Sequence, residues 1–295
     1  MSPWANRTDP APQASLVIRT LNEEKGLGLC LKALQIQKER DIEVLVVDSG
    51  STDGTCELAK SQGAEILSIS PEKFTYGRAL NLGISRARGR FVVTLSAHAV
   101  PADAEWLGSL LRPLRQIPRV GASFCRQLPM PDAFPFVRRL TEAAYPDQQE
   151  NPVVLFSNAG AAFHRDLWER TPFDENLPGS EDLAWAQEIL KSGFEIRYCP
   201  ESRLYHSHNE SFARVRRRYL NEERAKLGIL GKDYASWPYC RAHLSGFAKG
   251  VVLEGLHARE DGVSGLVHAL THRSAVLCAG LEVFARSRLP GVARR

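Results

Sequence analysis

Four short apolar runs, each followed by a stretch of helical periodicity, limit this chain to an α/β architecture. The runs are residues 15–19 (SLVIR), 43–47 (EVLVV), 64–69 and 91–95 (FVVTL). Residues 22–37 place Leu27, Cys30, Leu31 and Leu34 at helical spacing. A second helix is predicted over 54–62, capped by Asp53, and a third over 78–87. Strand and helix alternating in this way predict a mainly parallel sheet covered on both faces. Ligands of such sheets bind beyond the carboxyl ends of the strands. Thr20, Asp48 and Ser96 stand at those ends.

The second half has a different texture. Residues 129–152 read as a Pro- and aromatic-containing connection, and 158–163 (NAGAAF) are small. A helix is predicted over 183–190, after Glu181 and Asp182, and a short strand over 195–198. From Ser211 onward Arg214, Arg216, Arg217, Arg218, Arg224 and Lys226 decorate a helical stretch, and residues 262–288 form an amphipathic helical tail. The expected organisation is one α/β domain over 14–210 and a helical extension over 211–295.

Composition excludes several classes. With 295 residues, 43% of them hydrophobic, the chain can bury one large core with an appendage. No apolar run reaches the roughly 18 residues that a membrane-spanning helix needs. Residues 1–13 are polar and Pro-rich, without the apolar core of a signal peptide. Cys30, Cys56, Cys125, Cys199, Cys240 and Cys278 lie far apart with no CxxC pair, so free thiols in a reducing, cytoplasmic setting are expected. A net charge of +4 permits phosphate-bearing ligands or peripheral contact with the anionic inner face of a membrane. No nucleic-acid partner is expected.

Three segments carry chemistry. Residues 48–55 (DSGSTDGT) close a strand and open a helix, where Asp48 could accept from the imide N–H of a nucleotide base and Gly50 lets the turn approach a ligand. An ordinary strand-to-helix turn would look the same. Glu181 and Asp182 open a helix, whose dipole favours ionised carboxylates there, with or without a catalytic role. His206 and His208 flank Ser207 after an apolar strand, and alternate residues of an extended segment face one way. A nicotinamide-dependent oxidoreductase is disfavoured, because TLNEEKG follows the first strand where a GxGxxG turn would be required.

The blocks over 17–34 (VIRTLNEEKGLGLCLKAL), 43–55, 74–101 (FTYGRALNLGISRARGRFVVTLSAHAVP) and 158–208 resemble the inverting glycosyltransferases of family 2, in family order and across residues 15–211. They are most similar to the rhamnosyltransferase-like branch. The resemblance implies a GT-A fold, a Rossmann-like nucleotide-binding half fused to an acceptor-binding half, here with a helical C-terminal extension. It implies a nucleotide-sugar donor, a polysaccharide or lipid-linked glycan acceptor, and a place in cell-surface polysaccharide synthesis. A nucleotide-sugar-binding protein without transferase activity is the alternative. By resemblance, Thr20, Asn22, Glu23 and Asp48 hold the nucleoside and Arg78 lies near the diphosphate; a solvated arginine at a helix start is the other reading of Arg78. Asp182 is the general base and Glu181 binds the acceptor. One departure stands out: Ser96, Ala97 and His98 occupy the place of the family's metal-binding Asp-x-Asp. Magnesium prefers oxygen ligands whereas manganese tolerates imidazole, so a divalent ion held by His98 and His206 is expected to be manganese. Alternatively His98 touches the phosphates itself.

Overall fold

The computed structural model describes residues 3–4, 10–148, 156–230 and 236–288. The end of the expected connection over 129–152 and the end of the expected extension over 211–295 lie outside the described residues. Contacts divide the chain into two compact units. The first comprises Met1–Met130, Thr141–Leu177 and Glu181–Ser207; the second comprises Pro131–Leu140, Pro178–Ser180 and His208–Arg295.

The first unit is built on β1 (Ala14–Thr20), β2 (Ile42–Asp48), β3 (Glu65–Ser68), β4 (Phe91–Ser96), β5 (Val100–Pro101), β6 (Val120–Leu128), β7 (Gly160–His164) and β8 (Glu195–Tyr205). They form one sheet in the order β3-β2-β1-β4-β7-β6-β8-β5. The first four strands are parallel, as the alternation predicts, and β7 joins β4 antiparallel. Because strand side chains alternate, each strand feeds two cores. Leu16, Ile18, Val44, Val46, Val93 and Leu95 lie on one side, beneath α1 (Glu24–Gln35) and α4 (Trp106–Gln116). Val17, Leu45, Val47 and Val92 lie on the other, beneath α3 (Tyr76–Arg86) and α7 (Glu181–Lys191).

The structure corrects several expected boundaries. The N-cap of α2 (Thr55–Ser61) is Gly54, not Asp53. The Asp53 carboxylate still accepts from the Thr55 N–H at 3.1 Å, from one residue further out. The short strand expected at 195–198 runs on to Tyr205, because a shift in register between Cys125 and Arg126 lets residues 200–202, including Pro200, leave the ladder. Between residues 96 and 129, where the sequence pattern predicts no element, the chain forms β5, α4 and β6. All six cysteines are free thiols.

The second unit is helical. It contains α8 (Phe212–Leu230) and α9 (Trp237–Ser287), while α5 (Pro135–Ala144) belongs partly to it. The tail helix thus begins well before Gly262, the start that the sequence predicts, and Gly262 itself breaks it at φ 69°, ψ 178°. Leu220, Ala279 and Val283 form its small core. Within it Glu254 is buried between two guanidinium groups, those of Arg139 and Arg273. No helix among the described residues is long and apolar enough to cross a membrane.

Candidate active site

The loops after β1 and β2 are tied to each other by side chains. Thr20 and Asp48 are partners in the strand register. Thr20 Oγ1 is buried with no hydrogen-bond partner among the described residues. Both oxygens of Asp48 face its own turn, with Oδ2 accepting from the N–H groups of Gly50 (3.0 Å) and Ser51 (3.1 Å). Gly50 is at φ +102°, and a Cβ there would lie 2.9 Å from Pro71 Cγ, so this turn needs glycine twice over. Asn22 adopts φ 53°, a left-handed conformation that asparagine tolerates better than most residues. Its N–H donates to Ser51 Oγ at 2.8 Å, and its Oδ1 accepts from Thr52 N–H at 2.7 Å.

Glu23 and the loop after β4 bring two imidazoles together. Ala97 N–H donates to the Arg19 carbonyl, which carries the chain from the end of β4 across the end of β1. His98 Nδ1 then lies 3.0 Å from Glu23 Oε1. Two residues later β5 pairs antiparallel with Leu204 and Tyr205, which delivers His206 beside His98. The two rings stack with centroids 5.0 Å apart and planes 14° from parallel. His206 Nδ1 lies 2.8 Å from Gln127 Oε1. An ionised carboxylate and an amide oxygen can only accept, so each Nδ1 donates, and in the neutral ring the lone pair is then on Nε2. This is the tautomer a metal-ligating histidine uses, held by the kind of outer partner such ligands have. Imidazole nitrogens held in this way fit a divalent ion that accepts nitrogen ligands. His208 opens the second unit.

At the start of α7 two adjacent carboxylates meet different surroundings. Glu181 is 4% exposed; it accepts from Asn158 Nδ2 at 3.2 Å and lies 3.6 Å from Arg19 Nη1. The sequence reading sets it beside the acceptor, but its carboxylate lies inside the unit. Asp182 is partly open, with Oδ1 2.9 Å from its neighbour Leu183 N and Oδ2 3.4 Å from Asn158 N. Burial, and after it the charge of Glu181, raise the Asp182 pKa to about 7. Asn158 also bonds Thr94 Oγ1 at 3.2 Å, and Ser96 N–H donates to the Ala159 carbonyl, so α7 is anchored to the end of β4.

Arg78 stands apart from these groups. Its guanidinium donates to Glu175 Oε2 and to the Lys73 carbonyl, both at 2.9 Å. Trp185 is core, packed against Phe156, Phe163 and Phe173. His164, which reads as a surface residue, closes β7 half-buried against Phe91, and burial lowers its pKa. Two residues that the sequence reading passes over complete the site. Asn158 is hidden in a small-residue run. Arg19 is the one charged residue of SLVIR, and a charge within a buried strand was its available signal. Its Nε and Nη1 are buried without a hydrogen bond among the described residues, and its guanidinium lies 4.9 Å from the centre of the Tyr76 ring.

Comparison with known proteins gives the fold and the family. A mannosyltransferase from Pyrobaculum calidifontis, solved with GDP-mannose and Mn2+, superposes with a TM-score of 0.65 at 20% identity, covering 97% of this chain and 90% of that one. Glucosyl-3-phosphoglycerate synthase from Mycobacterium tuberculosis, solved with Mn2+, UDP and its product, superposes at 0.57 with 19% identity, covering 78% and 87%. The fold is that of the GT-A glycosyltransferases. The family described as glycosyl transferase family 2 matches residues 15–175. The O-antigen chain rhamnosyltransferase WbaN of Salmonella anatum is 30% identical over 224 residues, 71% of each chain. RfbN of Salmonella typhimurium, of the same description, is 27% identical over 221 residues, 70% of each. The chain belongs to glycosyl transferase family 2 and is a glycosyltransferase.

Proposed function

We propose that the enzyme moves a hexosyl or deoxyhexosyl group, rhamnosyl foremost, from a nucleotide-sugar to a hydroxyl of a polysaccharide or lipid-linked glycan, with inversion, during synthesis of a cell-surface polysaccharide. The observation that carries this reading is Asp182, a partly open carboxylate of raised pKa fixed at the start of α7. Relatives described as O-antigen chain rhamnosyltransferases, matched along about 70% of their length, support the sugar and the setting.

Asp182 takes the proton of the acceptor hydroxyl as that oxygen bonds to the anomeric carbon. The bond from that carbon to the diphosphate breaks, and the diphosphate leaves with the electron pair. Asn158 and the Leu183 N–H hold Asp182 in place, while Arg19 offsets the charge of Glu181 beneath it. Thr20, Asn22, Glu23 and Asp48 bind the nucleoside, with Ser96, Ala97 and His98 beside the diphosphate and Arg78 further along the donor. Glu181 serves the acceptor side by setting the orientation of α7. The catalytic domain spans 14–210, and 211–295 form the helical extension.

His98 and His206 would hold a divalent ion, manganese in preference to magnesium, through nitrogens whose tautomer Glu23 and Gln127 fix. Such an ion would supply positive charge to the leaving diphosphate.

A panel of nucleotide-sugars, tested by thermal shift and then by transfer, checks the donor, since a ligand bound only by the folded state raises its apparent stability. Stabilisation and turnover by a nucleoside-diphosphate rhamnose support the proposal; turnover of another sugar alone overturns its rhamnosyl part. Exhaustive chelation should stop transfer, and manganese should restore it better than magnesium. Full activity without a divalent ion would assign the imidazoles to the phosphates directly.

A further inference from the structure

The first half of α9 presents a face that a protein surrounded only by water has no reason to keep. Residues 241, 244, 245, 248, 249, 252, 256 and 259 recur at intervals of three and four and are all exposed, so they form one stripe. The middle of that stripe is apolar. Val252 is 64% and Leu256 72% exposed, with Leu244 and Leu253 also open. Beyond the break Val263 is 80% exposed, and Val267, a turn further on, is open as well. Single exposed aliphatics are ordinary, but a contiguous run of them marks an interaction surface.

The charges around the stripe select the partner. Arg241, Lys249 and Arg259 are exposed on it, and none of them is ion-paired among the described residues. No acidic side chain described between Trp237 and Arg259 reaches solvent, because Glu254 is buried between Arg139 and Arg273. Aliphatic residues flanked by long cations, with acid withdrawn, are the composition of a helix that lies in a lipid headgroup layer. The long stems let the cations stay at the headgroups while the aliphatic groups enter. A second copy of the same face would set these cations against each other, which disfavours self-association.

We propose that the exposed face of α9 rests on an anionic bilayer, with Val252, Leu256 and Val263 in the headgroup–acyl boundary and Arg241, Lys249 and Arg259 against lipid phosphates. No described stretch of α9 is long and apolar enough to cross the bilayer. The placement does not depend on the donor or the metal, so its failure leaves the transfer chemistry untouched.

The test is co-sedimentation of the full chain with vesicles of pure phosphatidylcholine and of phosphatidylcholine containing phosphatidylglycerol. The wild type should pellet with the anionic vesicles only, and added salt should release it. The triple variant Arg241→Gln, Lys249→Gln, Arg259→Gln should lower partitioning on the order of a hundredfold, at about fivefold per charge. The double variant Val252→Asp, Leu256→Asp should also abolish pelleting while keeping the wild-type melting temperature, as both positions are exposed. Wild-type protein left in the supernatant, or variants that pellet like wild type, would overturn the proposal. So would a wild-type dimer that the Val252→Asp, Leu256→Asp variant turns into a monomer.

Discussion

In the sheet unit a guanidinium, a carboxylate and an amide, those of Arg19, Glu181 and Asn158, are packed where aliphatic side chains would be cheapest. In the helical unit Val252, Leu256 and Val263 stand in solvent, where charge would be cheapest. Each unit departs from the ordinary distribution of polar and apolar groups in one place, and the departures have opposite sign. A buried pair such as Arg19 and Glu181 gains little over a hydrophobic pair of the same volume, so its presence points to a use other than stability. An exposed aliphatic stripe likewise points outward, to a surface that covers it. The backbone repeats the point, since the two non-glycine residues at positive φ among those described, Asn22 and Ser180, each lie next to a candidate site residue.

The largest effect expected from breaking the polar arrangement is on transfer. Asp182→Asn keeps the shape of the side chain but removes the proton acceptor, so the rate should fall about 10²–10⁴-fold. Nucleotide-sugar affinity, measured by calorimetry, should stay near wild type, and transfer within a few-fold of wild type would move the base elsewhere. Next comes Arg19→Met, which fills the space but leaves Glu181 without its cation. Denaturant unfolding should show a loss of about 3 kcal/mol, and an unchanged midpoint would mean that Glu181 needs no partner. Asp48→Ala should weaken binding of the free nucleoside diphosphate by about 1.5–3 kcal/mol, the worth of a hydrogen bond to a charged group. Equal affinity in both proteins would confine Asp48 to holding its own turn. At the small end, Leu256→Ser on the exposed stripe should change stability by no more than about 0.5 kcal/mol. A loss of 2 kcal/mol there would show that the stripe is packed, which would remove the contrast between the units.

Much of the sheet unit is legible in the sequence because β1, β2 and β4 are buried on both faces and therefore read as unbroken apolar runs. The same logic locates Thr20, Asp48 and Ser96 at strand ends without any structure. It fails where a contact depends on residues distant in sequence. Two-residue β5 has no signature of its own, yet it sets His206 against His98. Asn158 serves both Glu181 and Asp182 from a segment whose composition says only that it is small. Glu181 and Asp182 read alike as helix-start carboxylates, and the fold alone sets one beside the Arg19 guanidinium and raises the pKa of the other. In α9 the sequence marks the break, since the tail is expected to start at Gly262, but not the helical turns from Trp237 that precede it.

The rate of transfer against pH, at saturating donor and acceptor, tests most directly that Asp182 performs the chemistry. A base must be ionised to act, and an acid whose pKa is raised in the fold ionises only as pH climbs through that raised value. With the Asp182 pKa near 7, the rate should climb with pH, reach half its plateau at about pH 7 and level off above pH 8. A rate already flat from pH 5 upward, as an unperturbed aspartate would give, would contradict the account.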